Sequence, residues 1–167
     1  MSLNVYVGTY SKYTQGIIRG VWAHLPDFED KEDFLQFCRE VHKDEDDPEL
    51  MFQSWEREGV PEGMITEHFI DQELWVYFTL DEWEQEAVRV YRKEVEPSGS
   101  IDSILGAYRG KFDSVEDWAS EALISSGIFA NVPEVLELYF DWKAYARDAA
   151  LGAHVAEYEG FVYIFDY

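Results

Sequence analysis

The chain has 167 residues, 35 acidic against 13 basic, and a formal net charge of −22 at pH 7. A disordered acidic tail is excluded, because 47% of the residues are hydrophobic and 6 Trp, 11 Tyr and 11 Phe supply the side chains of a core. A field of this sign repels nucleic acid and anionic membranes, so neither is an expected partner, whereas a basic surface is.

In chain order, VYVGTY and IIRGVWAHL are rich in β-branched and aromatic residues and predict two strands, joined by a polar turn from Ser11 to Gly16. A helix is predicted from Asp30, with Phe34, Phe37, Cys38 and Val41 spaced as a core-facing stripe. The run Asp44 to Asp47 with Pro48 ends it, and ELMFQSW returns as a strand, giving a ββαβ unit to about residue 60. Gly59, Pro61 and Gly63 mark a boundary. Beyond it Asp71 can cap a short helix turning Leu74, Trp75 and Phe78 inward. Asp81 with Glu84 reads as a capping box for a second helix, with Trp83, Ala87, Val90 and Tyr91 on its inner face. Pro97, Ser98 and Gly99 close this helical middle unit.

A short helical segment is expected near Ile101 to Tyr108. Ser114 with Asp117 then starts a helix whose apolar positions are Val115, Trp118, Ala119, Ala122 and Leu123, stopped at Gly127. Asp141 caps another, with Trp142, Tyr145, Ala146, Ala149 and Ala150 inward and Gly152 at its end. HVAEY and FVYIF about Glu159 and Gly160 predict a terminal β-hairpin. The expected class is α+β, in three units: an N-terminal α+β unit over 1–60, an acidic helical unit over 61–100 and a C-terminal α+β unit over 101–167.

Charge is unevenly placed along this plan. Residues 1–43 hold 6 acids and 5 bases, residues 44–86 hold 15 acids and only Arg57, and residues 87–167 hold 14 acids and 7 bases. The acids of the middle stretch are Asp44, Glu45, Asp46, Asp47, Glu49, Glu56, Glu58, Glu62, Glu67, Asp71, Glu73, Asp81, Glu82, Glu84 and Glu86. Capping and macrodipole effects account for single members such as Asp71, Asp81 and Glu84. They do not require 15 acids beside one base. DNA carries one charge per ~1.7 Å of axis, so the net charge of the chain corresponds to roughly 37 Å of duplex, about eleven base pairs. Carboxylates fixed on helices can form a rigid array that satisfies a Lys- and Arg-lined groove as phosphates would.

Signatures of catalysis and metal binding are weak. His24, His42, His68 and His154 lack zinc-ligand spacing, apart from Cys38 and His42 one helical turn apart, a pair that also reads as a buried thiol beside a helix-end imidazole. Asp44 and Asp46 begin like a calcium loop, but Pro48, Glu49 and Trp55 stand at the third-ligand, glycine and twelfth positions. P-loop, GxGxxG and GxSxG motifs are absent from the sequence. No enzyme activity, cofactor or metal is therefore expected. The opening MSLNVYVGTY has neither a basic start nor a continuous apolar run, and Cys38 is the single cysteine, so the cytoplasm is the expected location.

The segments VYVGTYSKYTQGIIRGVW, HKDEDDPELMFQSWE and VPEVLELYFDWKAYARD closely resemble, in order, stretches of the ArdA antirestriction family. The resemblance implies an elongated, curved homodimer of three small domains per chain that imitates bent B-form DNA. It implies inhibition of type I restriction-modification enzymes through their methyltransferase core, without catalysis or cofactor. The family's antirestriction motif matches Ile128 to Asp141 (IFANVPEVLELYFD), and the resemblance places Ile128, Val132, Pro133, Val135, Leu136, Tyr139, Phe140 and Asp141 near the dimer contact. Val132, Val135, Leu136, Tyr139 and Phe140 could equally be ordinary core about a helix start at Pro133. A general acidic inhibitor or chaperone of basic nucleic-acid-binding proteins is the alternative function.

Overall fold

Two three-stranded antiparallel sheets organise the chain in a computed structural model that describes residues 3–56 and 59–167. The first contains β1 (Asn4–Thr9), β2 (Val21–His24) and β3 (Leu50–Trp55), in the order β2-β1-β3. Alternation along β1 turns Val5 and Val7 onto one face, where Ala23 and Phe52 join them. That face is covered by α2 (Lys31–Val41), capped by the Asp30 carboxylate on the Asp33 N–H and buried through Phe34 and Cys38. The ββαβ order expected from the sequence is present.

Four local expectations are corrected. The turn expected from Ser11 to Gly16 includes a short helix, α1 (Tyr10–Thr14), because the Thr9 hydroxyl accepts the Lys12 N–H and nucleates a turn. The second strand is shortened at its front, leaving Ile17 and Ile18 exposed ahead of β2. Gly20, just before β2, lies close against β1: a Cβ there would lie 2.4 Å from the Val7 carbonyl oxygen. Val41, in the last turn of α2, and Ala122, later in the chain, are exposed rather than inward. The fourth correction concerns Trp83, below.

The middle stretch forms α3 (Glu73–Tyr77) and α4 (Glu82–Glu94). Asp81 and Glu84 make the reciprocal capping box expected of them. Leu74 and Tyr77 are buried in α3, and Ala87, Val88, Val90 and Arg92 in α4. Trp83 is about half exposed; it stacks on Tyr108 at 6.0 Å instead of entering the core. In the first turn of a helix whose burial begins at Ala87, its ring reaches only the rim.

After α5 (Ile101–Ala107) the chain enters β4 (Tyr108–Phe112), a strand the sequence reading left within the helical segment and its exit. Next come α6 (Val115–Ser125), the one-turn α7 (Glu134–Glu137) and α8 (Trp142–Ala149). The expected hairpin, β5 (Ala153–Tyr158) and β6 (Phe161–Asp166), completes the second sheet in the order β4-β6-β5. Positive φ angles at Glu159 (50°) and Gly160 (83°) give the two-residue turn the twist that antiparallel strands require. Both faces of this sheet are covered. Tyr163 and Phe165 join the core that includes α4 and α5, while Val162 and Ile164 face Val115 and Trp118 of α6. Double coverage explains why FVYIF is continuously apolar rather than alternating.

One buried apolar cluster includes Val5, Phe34, Leu74, Val88, Ile104 and Phe165. Phe34 is completely buried and packs against Phe28, Phe52 and Trp75. Phe34→Ala should lower the unfolding free energy by about 3–5 kcal/mol in urea titration. A loss below about 1 kcal/mol would show that the aromatic cluster is not a principal support of the fold.

Candidate functional site

The acidic run that links α2 to β3 is anchored from beneath by a lysine. Lys12, only 7% exposed, projects from α1 and donates from Nζ to His42 Nδ1 at 3.0 Å and Asp44 Oδ1 at 2.8 Å. The same ammonium lies 3.1 Å from Glu45 Oε1. Glu45 also accepts from the Thr9 hydroxyl at 2.7 Å, and His42 Nε2 lies 3.3 Å from the Val7 carbonyl oxygen. Three ammonium hydrogens thus have three acceptors.

Each titration in this cluster follows from its contacts. Burial opposes the Lys12 charge, but the hydrogen bonds to Asp44 and Glu45 outweigh it and hold its pKa above the ordinary value. The bond from Lys12 lowers the Asp44 pKa; bonds from Thr9 and then Lys12 lower that of Glu45. Burial, reinforced by the Lys12 charge, lowers the His42 pKa and favours the neutral ring that can accept at Nδ1 and donate at Nε2. By residue type, His42, Asp44 and Glu45 are a possible divalent-metal set. Their ligand atoms instead engage Lys12, whose positive charge opposes a second cation. The Cys38 thiol is pushed up to about 12 by burial and is a poor metal ligand in that state.

Other candidate carboxylates also serve the fold. Arg92 of α4, 3% exposed, donates to the Pro97 carbonyl at 3.0 Å and the Gly99 carbonyl at 2.7 Å, and lies 3.8 Å from Asp71 and 3.5 Å from Glu73. Glu73 also accepts the Ile101 N–H at the start of α5. Glu86 accepts from Lys111 at 3.1 Å and from the Tyr163 hydroxyl at 2.7 Å, joining α4 to the second sheet. Burial opposes the Glu86 charge, yet the Tyr163 and Lys111 bonds leave its pKa lowered; burial and Glu86 push Tyr163 up to about 12. Glu56 accepts from both the backbone and side-chain nitrogens of Asn4, and Glu84 belongs to the α4 cap.

Asp44, Asp46, Asp47, Glu49, Glu62, Glu67, Asp81 and Glu82 are exposed, Asp44 while bonded to Lys12. Asp81 also caps α4, and Glu67 raises the Tyr10 pKa through a hydrogen bond, after burial as the larger cause. Glu58 lies outside the described residues. The candidate acids therefore include outward groups and groups tied to internal cations or caps, a division that sequence spacing did not reveal.

The motif from Ile128 to Asp141 contains a 3-10 turn over Ile128–Asn131, Pro133 and α7. Ile128 is exposed, and so are Val135, Leu136 and Tyr139, which the ordinary-core alternative therefore does not describe; Val132 and Phe140 are partly buried. Pro133 is exposed at the start of α7, and Asp141 accepts the Ala144 N–H as the cap of α8. Phe140 packs edge-on against Phe129 at 5.2 Å and Trp142 at 4.7 Å. Leu138, which the sequence reading omitted from this surface, is 84% exposed.

Lys12, Thr9, His42, Arg92 and Lys111 were also missed as organisers of the acidic stretch. For the three cations the signal was scarcity, because with 35 acids and 13 bases each base is a natural anchor. Choosing which base is buried requires the fold.

Neutral burial of His42 has a pH consequence. Below about pH 6.5 the unfolded chain takes up the histidine proton more readily, so this contribution to stability falls as pH drops. Asp44 and Glu45 contribute stability that is present above about pH 4 and lost as pH falls through their lower folded values. The Lys12 contribution is present below about pH 10.4 and lost as pH rises through its higher folded value. His42→Gln should therefore show a stability deficit that shrinks between about pH 7.5 and 5.5 when both proteins are titrated with urea. A deficit constant over that interval would contradict this account of His42.

Among the described residues, no helix is long and apolar enough to cross a membrane. No curated protein matches the chain. The sequence profile described as antirestriction protein (ArdA) matches residues 5–163, spanning both sheets, the acidic stretch and the exposed motif. The chain belongs to the ArdA family of antirestriction proteins.

Proposed function

We propose that this protein imitates the charge of double-stranded DNA and occupies the DNA-binding groove of type I restriction-modification enzymes at their methyltransferase core. It acts by stoichiometric occupation, without catalysis or a cofactor. The reading rests chiefly on one observation: residues 44–86 hold 15 acids and only Arg57, within a stretch that includes folded helices and a strand. Exposed members such as Asp46, Asp47, Glu62 and Glu82 are the proposed substitutes for phosphates. Segments 1–60, 61–100 and 101–167 are proposed as successive units of the elongated mimic.

A homodimer would lengthen the imitation. Exposed Ile128, Val135, Leu136, Leu138 and Tyr139 form the proposed contact, since apolar side chains on a monomer's surface favour burial against a partner. The partner proposed for them is a second copy, following the family resemblance of the motif. Leu138→Asp should convert dimer to monomer in sedimentation velocity at micromolar concentration. An unchanged sedimentation coefficient, or a wild-type monomer, would refute this contact.

Purified protein should displace DNA from a type I methyltransferase at near-stoichiometric concentration, with displacement weakening as salt rises. Asp46→Asn, Glu62→Gln and Glu82→Gln should each weaken binding by about two- to fivefold, the range of an exposed ion pair. Abolition by one of them would point instead to a single essential group. Failure against a panel of type I enzymes, with capture of unrelated basic proteins, would favour the general acidic inhibitor.

A further inference from the structure

Asp46 and Asp47 are the exposed apex of a chain segment held at both ends. On one side His42 closes α2, and Asp44 and Glu45 converge on the Lys12 ammonium. On the other, the Tyr10 N–H donates to the Glu49 carbonyl at 3.0 Å, just before β3 begins. Both restraints come from the β1–α1 junction: Thr9 and Tyr10 adjoin, and Lys12 lies one turn on. Four neighbouring carboxylates would otherwise repel one another and spread the segment over many conformations. A single buried cation ties down two of them: Glu45 is largely covered, while Asp44 meets the ammonium through Oδ1, stays half exposed and lies 3.7 Å from the exposed Arg19 through Oδ2.

We infer that Lys12 is a positioning residue for the interaction surface: by drawing in Asp44 and Glu45, it fixes the backbone that presents Asp46 and Asp47 outward. Glu45 then belongs to the mount rather than to the array that meets the partner, and half-exposed Asp44 stands between the two. The ammonium suits this task because its three hydrogens diverge toward three separate acceptors; a planar guanidinium would present its donors in a fork. The functional half of this inference rests on the groove-binding reading. The structural half does not.

The test uses the full chain, with Lys12→Met, Asp46→Asn with Asp47→Asn, and all three changes together. Hydrogen exchange at residues 43–49 reads positioning, and affinity for a type I methyltransferase reads function. Lys12→Met should speed exchange in that segment by about tenfold or more while α4 and β6 keep their protection. It should weaken binding about threefold, as should the paired aspartate change, and the combined protein should be little worse than either. Lys12→Arg should restore exchange protection only in part.

Unchanged exchange in folded Lys12→Met would overturn the inference whatever the binding result. Faster exchange with fully multiplicative losses would overturn its functional half. If wild-type protein does not bind a type I methyltransferase, the groove-binding reading and the functional half fail together, while exchange still decides whether Lys12 holds the segment. Should Lys12→Met not fold, Glu45→Ala, which removes one of the three ammonium contacts and the Thr9 link, should reproduce the local exchange increase and the non-additivity. Wild-type exchange in that variant would refute the mount.

Discussion

Like-charge repulsion is the constraint under which this molecule is built. A net charge of −22 on 167 residues favours expansion of the chain, and folding must overcome that before any surface can be presented. The apolar cluster linking Phe34, Val88 and Phe165 supplies the principal opposing force. Cations act locally: buried Lys12 beneath the run after α2, buried Arg92 beside the start of α3, and exposed Lys111 against Glu86. Bases are scarce in this chain, so their placement matters more than their number.

The cations also divide the acids into two chemical populations. Asp44, Glu45, Asp71, Glu73 and Glu86 have basic neighbours within 3.8 Å, whereas Asp46, Asp47, Glu62 and Glu82 are exposed to solvent. On the proposed reading the first group supports the backbone and the second meets a partner, with half-exposed Asp44 placed to serve both. Such a division reconciles a rigid scaffold with an accessible acidic surface.

Much of the architecture was legible because its signals are local. Asp81 and Asp141 cap helices as the sequence predicted, helices start after Asp30 and Ser114 as expected, and Glu159 with Gly160 turns the last hairpin. β4 was not legible: YRGKF is short, contains a glycine and two cations, and becomes a strand through pairing with distant β6. Trp83 likewise carried a helical inner-face spacing, but the bulk of the core begins one turn beyond it. Of the candidate surface, the acidic stretch was visible in composition. Its division was not, because Lys12 and Asp44 are 32 residues apart in sequence and meet only through the sheet and α2.

On the proposed reading, outward carboxylates replace the phosphates of DNA in an enzyme groove. An electron cryomicroscopy structure of the protein bound to a type I methyltransferase, set beside that enzyme's complex with DNA, tests it most directly. Asp46, Glu62 and Glu82 should lie within about 4 Å of Lys or Arg side chains that contact phosphates in the DNA complex. Binding at another face, with the groove open and its cations unpaired, would contradict it.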